Sequence, residues 1–154
     1  MADSIRKQIV AAVITQLETI TTVNGYNTDV GNSVYEWREY PVDESETPCL
    51  IVADTECETV DEGGDIHDHR LTIEIGIEVS GSSSAGDMRN VLADLNKAVG
   101  VGVEENWSNL AYNTEPVGDS TDMEHKERIF SDTIFQLVIC FRTPAWNPYA
   151  VSLA

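Results

Sequence analysis

A strict alternation of apolar and polar residues between positions 71 and 79 constrains the fold of this chain more than any other feature. Because successive side chains of a β-strand point to opposite faces, the alternation predicts a strand with one buried and one solvated face. The buried face has to be covered by another layer of the protein. The apolar positions are Leu71, Ile73, Ile75, Ile77 and Val79.

An amphipathic helix is predicted at the beginning of the chain. Either Asp3 or Ser4 can cap its first turn, and the Asn24-Gly25 pair is expected to end it, since both residues tolerate the left-handed conformation. Its apolar residues recur at helical spacing. They are Ile5, Ile9, Val13, Leu17 and Ile20.

A second amphipathic helix is predicted from Met88 to Val99, with Asp94 among the residues of its polar face. Gly100 and Gly102 follow this segment and are expected to stop the helix, because glycine is a poor helix former. The sequence therefore predicts two main helices.

Three further segments are predicted as strands. Residues 34–37 indicate a short strand and residues 49–52 a buried one. The segment 129–143 has apolar groups on both faces, which is typical of a central strand. Because strands and helices do not alternate strictly, we expect one α+β domain over residues 1–154, with a mixed or antiparallel sheet packed against the two helices.

Two segments lie outside these elements. Residues 113–126 are predicted to form an extended polar arm, which is either a flexible loop or the tip of a hairpin. Residues 144–154 are expected to form an irregular C-terminal tail. Both segments are candidates for contacts with other molecules.

The charge balance narrows the classes of function. Against 27 Asp and Glu there are only 9 Lys and Arg, which gives the 154-residue chain a net charge of −18. Affinity for nucleic acids and for anionic membranes comes largely from cationic side chains, so both are disfavoured as ligands. No apolar run approaches the roughly 20 residues that span a bilayer, and the first residues do not resemble a secretory signal. We expect a soluble protein made in the cytosol.

An acidic segment extends from position 54 to position 68. It lacks the Asp-x-Asp-x-Asp-Gly order and the closing bidentate Glu of a calcium loop, so a mobile acidic loop is the preferred interpretation. Its carboxylates are Asp54, Glu56, Glu58, Asp61, Glu62, Asp65 and Asp68.

His67 and His69 form the one cluster that resembles a metal site. On a strand the two imidazoles lie on one face, with Asp68 on the other. Two ligands do not make a site, and further ligands would have to come from the acidic segment or from distant His125. The competing interpretation is a solvated entrance to the strand. A metal-dependent hydrolase using His67, His69 and the acidic segment is therefore an alternative, while the preferred interpretation has no metal and no cofactor.

No catalytic motif accompanies these residues. The sequence has no nucleophile elbow, phosphate loop or dinucleotide fingerprint. Cys49, Cys57 and Cys140 are an odd number without metal-type spacing, which favours buried or unreactive thiols. We therefore expect an interaction or structural protein rather than an enzyme.

Several short motifs follow one another in a characteristic order along nearly the whole chain. They are Ile5-Arg6-Lys7-Gln8-Ile9, Gly25-Tyr26, Pro48-Cys49-Leu50-Ile51-Val52-Ala53-Asp54, His69-Arg70-Leu71, Trp107-x-x-Leu110-Ala111, Arg142-Thr143 and Asn147-Pro148-Tyr149. Their order and spacing resemble those of the tail terminator, or tail completion, proteins of long-tailed bacteriophages and prophages. The resemblance rests on order and spacing, because no catalytic residue anchors it.

This resemblance implies a structural role in the virion. The family's function implies a subunit of a sixfold ring that caps the finished tail tube, ends its polymerisation and presents a face for head-tail joining. Its partners would be further copies of itself, the tail tube protein and a neck or head-completion protein, at the tail-neck junction of a virion assembled in the bacterial host cytoplasm. DNA would pass through the lumen without specific binding, and no membrane would be involved. The alternative is a neck or head-closure protein of the same virion.

The resemblance also implies where the contact surfaces lie. A lumen through which DNA slides should be negative, so the seven carboxylates of the acidic segment are predicted to line the lumen or its rim. The competing interpretation is a solvated outer loop. The arm, the tail and nearby aromatic residues are predicted to contact neighbouring subunits or partners. The predicted contact residues are Trp107, Tyr112, Met123, Lys126, Arg128, Trp146 and Tyr149.

Overall fold

A five-stranded sheet dominates the computed structural model, which describes residues 2–38, 41–81, 84–125 and 129–152. The strands are β1 (Val34–Glu36), β2 (Cys49–Asp61), β3 (Ile66–Ser80), β4 (Asn113–His125) and β5 (Ile129–Pro144). The helices are α1 (Ile5–Leu17), α2 (Ser84–Glu104) and the short α3 (Asn106–Asn109). In the order β1-β2-β3-β5-β4, β1 is parallel to β2 and the other neighbours are antiparallel. The sheet is mixed, and the predicted α+β fold is confirmed.

β3 is the middle strand of the sheet and carries much of the core. Its five alternating apolar residues are 0–2% exposed, as the alternation predicts. Ile75 lies opposite Val52 of β2 and Phe135 of β5, so these residues form a buried row across the sheet. The three helices pack against one another and cover this face.

α1 begins where the sequence predicts but ends earlier. The Ser4 hydroxyl accepts a hydrogen bond from the backbone N–H of Lys7 at 3.2 Å, which caps the first turn. The helix ends at Leu17 rather than near Gly25, because the chain turns there and the segment around Gly31 packs on the helix end. A Cβ atom at Gly31 would lie 2.7–2.8 Å from three backbone carbonyl oxygens, so no larger residue fits.

α2 continues to Glu104, so the prediction that Gly100 and Gly102 stop it is wrong. Gly102 instead makes room for Trp107, since a Cβ atom at this position would lie 2.2 Å from the indole ring. Trp107 belongs to α3, whose four residues all have φ between 49 and 62°. Such a left-handed turn costs L-residues roughly 1–2 kcal/mol each. Burial of the indole, which is 2% exposed, offsets part of this cost.

Asp94 lies in α2 on the side that the sequence predicts to be solvated, but the structure buries it to 2% exposure. Its carboxylate accepts hydrogen bonds from the backbone N–H groups of Asn27 and Thr28 at 3.0 and 2.8 Å. The Thr28 hydroxyl donates a further bond at 2.7 Å. Asp94 therefore ties α2 to the loop that follows α1, and this pairing is what makes its burial possible.

The segment predicted as a polar arm is the edge strand β4. It pairs with β5 in an antiparallel hairpin, so the flexible-loop alternative is wrong. Pro116 and a register shift before Gly118 interrupt the pairing, and residues 116–122 are exposed. Proline, a bulge and carboxylates such as Asp119 protect a sheet edge against pairing with a further strand.

The opposite face of the sheet carries none of the three helices. Polar pairs lie on it, among them Gln136, whose side-chain amide donates to Glu74 at 2.7 Å. Ile134 on this face is 40% exposed. Residues 145–152 have no regular structure, as predicted for the tail. In the ranges that the structure describes, no helix is long and apolar enough to cross a membrane.

Candidate functional site

The acidic segment is a β-hairpin, so the prediction of a mobile loop is wrong. Residues 54–61 lie on β2, residues 62–65 form the turn, and Asp68 lies on β3. Glu56 and Glu58 lie opposite even-numbered residues of β3, on the face without helices. Because side chains alternate along a strand, the seven carboxylates are divided between two faces and a turn. The structure does not bring them together on one surface of the subunit.

Asp54 is held by two neighbours at the beginning of this hairpin. The Arg6 guanidinium donates to one carboxylate oxygen at 2.6 Å, and the Trp37 indole donates to the other at 2.8 Å. Burial alone would raise the pKa of Asp54, but the hydrogen bonds from Trp37 and Arg6 outweigh it and hold the pKa below its ordinary value. Asp54 is therefore a structural ion-pair partner and contributes little free negative charge.

Tyr112, which is 44% exposed, joins Asp68 on the face without helices. Its hydroxyl lies 2.6 and 2.8 Å from the two carboxylate oxygens. Burial and the neighbouring Asp68 raise the pKa of Tyr112 to about 12, so the hydroxyl stays protonated and donates. Arg142 lies 4.2 Å above the tyrosine ring and 3.7 Å from Asp68. Asp68 is thus also compensated by a cation.

Arg70 connects three strands on the same face. It forms a bidentate pair with Glu115 of β4, at 2.5 and 2.8 Å, and lies 3.7 Å from Glu58 of β2. Among the described residues, the acidic side chains without an ion pair include Glu56, Glu62 and Asp65, all of which are exposed. Free negative charge on the hairpin is therefore concentrated toward its turn and on Glu56.

The predicted contact residues differ in their exposure. Trp146 and Tyr149 are 89% and 57% exposed, so both can touch a partner. Trp107 lies in the core, so its predicted role in a subunit or partner interface is wrong. The side chain of Met123, together with Lys126 and Arg128, lies outside the described residues.

His67 and His69 lie on the helix-covered face of β3. His67 is only 8% exposed, so the interpretation of a solvated entrance to the strand is wrong. Both ring nitrogens of His69 are within hydrogen-bonding distance of hydroxyls, Nδ1 with Thr59 at 2.9 Å and Nε2 with Thr143 at 2.8 Å. Burial lowers the pKa of His69, and His67 adds to the effect, so His69 is neutral at pH 7. Within the described residues, no group of three or more His, Cys, Asp or Glu could hold a metal ion.

An open cleft of about 640 Å³ lies beside His67, between the β2–β3 hairpin and the C-terminal tail. The Trp146 ring packs edge to face on His67, with 4.8 Å between ring centroids. The tail is fixed there because the Ala145 backbone N–H donates to the Asp65 carbonyl at 2.9 Å. This space, termed the His67 cleft, is lined by Thr59, Asp61, His67, His69, Thr143, Trp146 and residues 147–148.

The sequence pattern indicates the two histidines and Trp146 but not their threonine neighbours. Thr59 is the cross-strand partner of His69, and Thr143 is that of His67. His69 and His67 lie two and four residues before Leu71, so the alternation along a strand places them on the same face as Leu71. The register with β2 and β5, which selects the threonines, depends on contacts far apart in the sequence.

The cysteines take no part in the cleft beside His67, and all three are free thiols. Cys49 and Cys140 are buried, and Cys57 is half-buried. Burial raises the pKa of Cys49 to about 12, with Glu78 adding to the effect, so its reactive thiolate is scarce at neutral pH. These positions fit the prediction of buried or unreactive thiols.

Neither a comparison with protein-family models nor a search of curated proteins finds a match for the chain.

Proposed function

We propose that this protein is a structural virion subunit, six copies of which form a ring that caps a phage tail tube, ends its polymerisation and provides the interface for head-tail joining. The order of motifs along the chain supports this proposal. The function requires no catalysis, so it is compatible with histidines and cysteines that are engaged in packing and hydrogen bonds. Its partners would be the tail tube protein and a neck or head-completion protein.

One observation carries the proposal: the two long hairpins end at opposite ends of the sheet. β3 begins with Ile66 beside Pro144 at the end of β5, whereas the last residue of β3, Ser80, lies beside Phe130 near the start of β5. Residues 58–61 of β2 and residues 116–122 of β4 are exposed. A ring that meets the tube on one side and the head on the other needs contact surfaces at both ends of each subunit.

Free backbone groups at the β4 edge are not proposed as the main subunit contact. The proline and the register shift of β4 break its hydrogen-bonding pattern, which disfavours continuous strand addition. Ring contacts would instead use the exposed side chains of the hairpins and of the tail, including Tyr149. A heterologous interface of this kind closes into a ring when its rotation permits.

Substitution of exposed valines tests the capping function. Val60 on β2 and Val117 on β4 are 51% and 57% exposed, and Val23 in the turn after α1 is 93% exposed. We expect Val60→Asp and Val117→Asp to weaken capping about tenfold or more, since each places an unpaired charge in an interface. Val23→Asp is the matched control and should cap normally. Electron microscopy of purified tail tubes, with sedimentation of the ring, measures the effect.

Two outcomes would remove this proposal. The first is a wild-type protein that neither forms a ring nor arrests the growth of tail tubes. The second is binding to purified heads alone, which would favour the alternative of a neck or head-closure protein. Equal capping by all three valine variants would contradict the assignment of the hairpins as the contact surfaces of the ring.

Within this proposed ring, the exposed carboxylates of the β2–β3 hairpin would line the lumen or its rim. Replacing Glu56, Glu58 and Glu62 with lysine should then increase retention of DNA in assembled particles, because lysines bind the phosphates that carboxylates repel. The matched control reverses three other exposed acidic residues. That control replaces Glu18, Glu104 and Glu105 with lysine. Equal DNA retention and ejection in the two triple variants would contradict the lumen assignment, even if capping persisted.

A further inference from the structure

His67 is nearly buried, but its ring nitrogens are not among the fully enclosed polar atoms of the described residues that lack a partner, so they reach the solvent. The imidazole is 8% exposed and lines the His67 cleft. Within the described part of the chain it makes ring contacts with His69 and Trp146 but no side-chain hydrogen bond. A ring nitrogen that reaches the solvent, on a residue that lines the cleft and has no partner among the described residues, can bond a group that enters the cleft.

Trp146 presents a large aromatic surface at the same cleft. It is 89% exposed although its ring packs edge to face on His67. Its φ of 61° is unfavourable for a bulky residue, so the tail holds the indole in this position against a local conformational preference. Exposed indole faces attract cations through the ring quadrupole.

The charged and polar groups around the cleft favour a cation. The Asp61 carboxylate lines it, and Glu62 and Asp65 lie in the adjoining turn. No Lys or Arg is among the described residues that line it, and both ring nitrogens of His69 are within hydrogen-bonding distance of hydroxyls. A metal ion is disfavoured because fewer than three suitable ligands converge there among the described residues.

We propose that the His67 cleft binds a lysine or arginine side chain carried by an extended segment of a partner protein. The ammonium or guanidinium group lies on the Trp146 ring and pairs with Asp61, and its N–H donates to the free nitrogen of His67. The volume of about 640 Å³ accommodates such a side chain with neighbouring residues of the segment.

A second depression explains why the ligand is a peptide segment rather than a small free cation. It has a volume of about 310 Å³ and shares Thr59, His69, Thr143 and Pro148 with the His67 cleft. The second depression adjoins the His67 cleft through these residues and extends toward Ser4 and Arg6 at the start of α1, where Arg6 is paired with Asp54. An extended segment can place its basic side chain beside Trp146 and continue into the second depression.

Titration with Nα-acetyl-lysine N-methylamide, followed by NMR of the full-length protein, tests the site. Saturable shifts of the Trp146 indole and His67 imidazole signals are expected, and the norleucine analogue, which lacks the ammonium group, should cause none. Trp146→Ala and Asp61→Asn should each weaken binding about fivefold or more. The Gly64 backbone N–H donates a hydrogen bond to the Asp61 carboxylate at 2.8 Å. Asp61→Asn keeps a side-chain oxygen that can accept this bond.

Controls separate this site from general attraction to an acidic protein. Tyr149→Ala removes another exposed aromatic residue of the tail, and Asp119→Asn removes a distant charge, so both should bind the lysine probe like the wild type. Unchanged affinity in Trp146→Ala, or equal binding of the norleucine analogue, would overturn the proposal. Loss of self-association in Trp146→Ala without saturable lysine binding would also overturn it and would identify the cleft as a contact between copies.

Binding of a basic side chain at the His67 cleft does not require the proposed virion role. A protein that fails to cap tail tubes but binds the lysine probe through Trp146 and Asp61 would retain the cleft assignment and lose the ring proposal. The reverse result, capping without saturable binding of the probe, would remove the cleft assignment alone.

Discussion

Truncation of Ile75 to alanine should lower the free energy of unfolding by about 2–5 kcal/mol. Ile75 is fully buried in the middle of β3, and its side chain shares a row with Val52 and Phe135. The smaller side chain removes apolar contacts and leaves a cavity that strands fixed on both sides cannot close. Leu137→Ala, at a position 1% exposed in the neighbouring strand β5, should have an effect of the same size. Urea unfolding followed by circular dichroism measures both.

Thr72→Ala provides the control on the same strand. Thr72 is half-buried on the face that carries no helix, so its truncation should cost less than about 1 kcal/mol. If Thr72→Ala destabilised the protein as much as Ile75→Ala, the second face of the sheet would be packed as tightly as the first. That result would contradict an arrangement in which helices cover only one face of the sheet.

The helix-covered part of the sheet could be predicted because burial leaves a periodic pattern. Leu71 to Val79 alternate since one face of β3 packs on helices. β5 lies between β3 and β4, as predicted for a central strand, but only one of its faces packs on the helices, and Ile134 on the other face is 40% exposed. The pattern fails where both faces of a strand are wet. Residues 56–61 of β2 are mostly exposed on both sides, so no alternation marks them and their acidity resembles that of a loop.

Other errors came from contacts that are distant in the sequence. Asp94 has a residue type and a helical position that indicate solvent, yet it accepts hydrogen bonds from backbone groups 66 and 67 residues away. The His67 cleft shows the same limit. Alternation places both histidines on one face, but nothing local indicates that Trp146, in an irregular tail, packs on His67. Tertiary contacts, not the local propensity of the residue, determine whether such a side chain is buried or exposed.

Gly102→Ala should lower the free energy of unfolding by about 3 kcal/mol or more, although alanine is the better helix former. The new Cβ atom would lie 2.2–2.7 Å from three atoms of the Trp107 ring, and real Cβ contacts are never so short. The Trp107 ring therefore has to move out of its place in the core. Its burial, which offsets part of the conformational cost of the left-handed turn of α3, would be reduced. Thermal and urea unfolding, with near-ultraviolet circular dichroism of the tryptophans, would show the loss.

Gly100→Ala is the matched control, because it changes the same residue type in the same helix at a position where a Cβ atom has nothing within 4 Å. It should raise stability by up to about 1 kcal/mol through helix propensity alone. A double-mutant cycle then isolates the contact with the indole: in a Trp107→Leu background, Gly102→Ala should lose most of its cost, since the ring that it strikes is gone. If Gly102→Ala instead resembled Gly100→Ala in the wild-type background, Trp107 would not pack on α2. The glycine that sequence analysis interprets as a helix stop would then have no structural reason to be there.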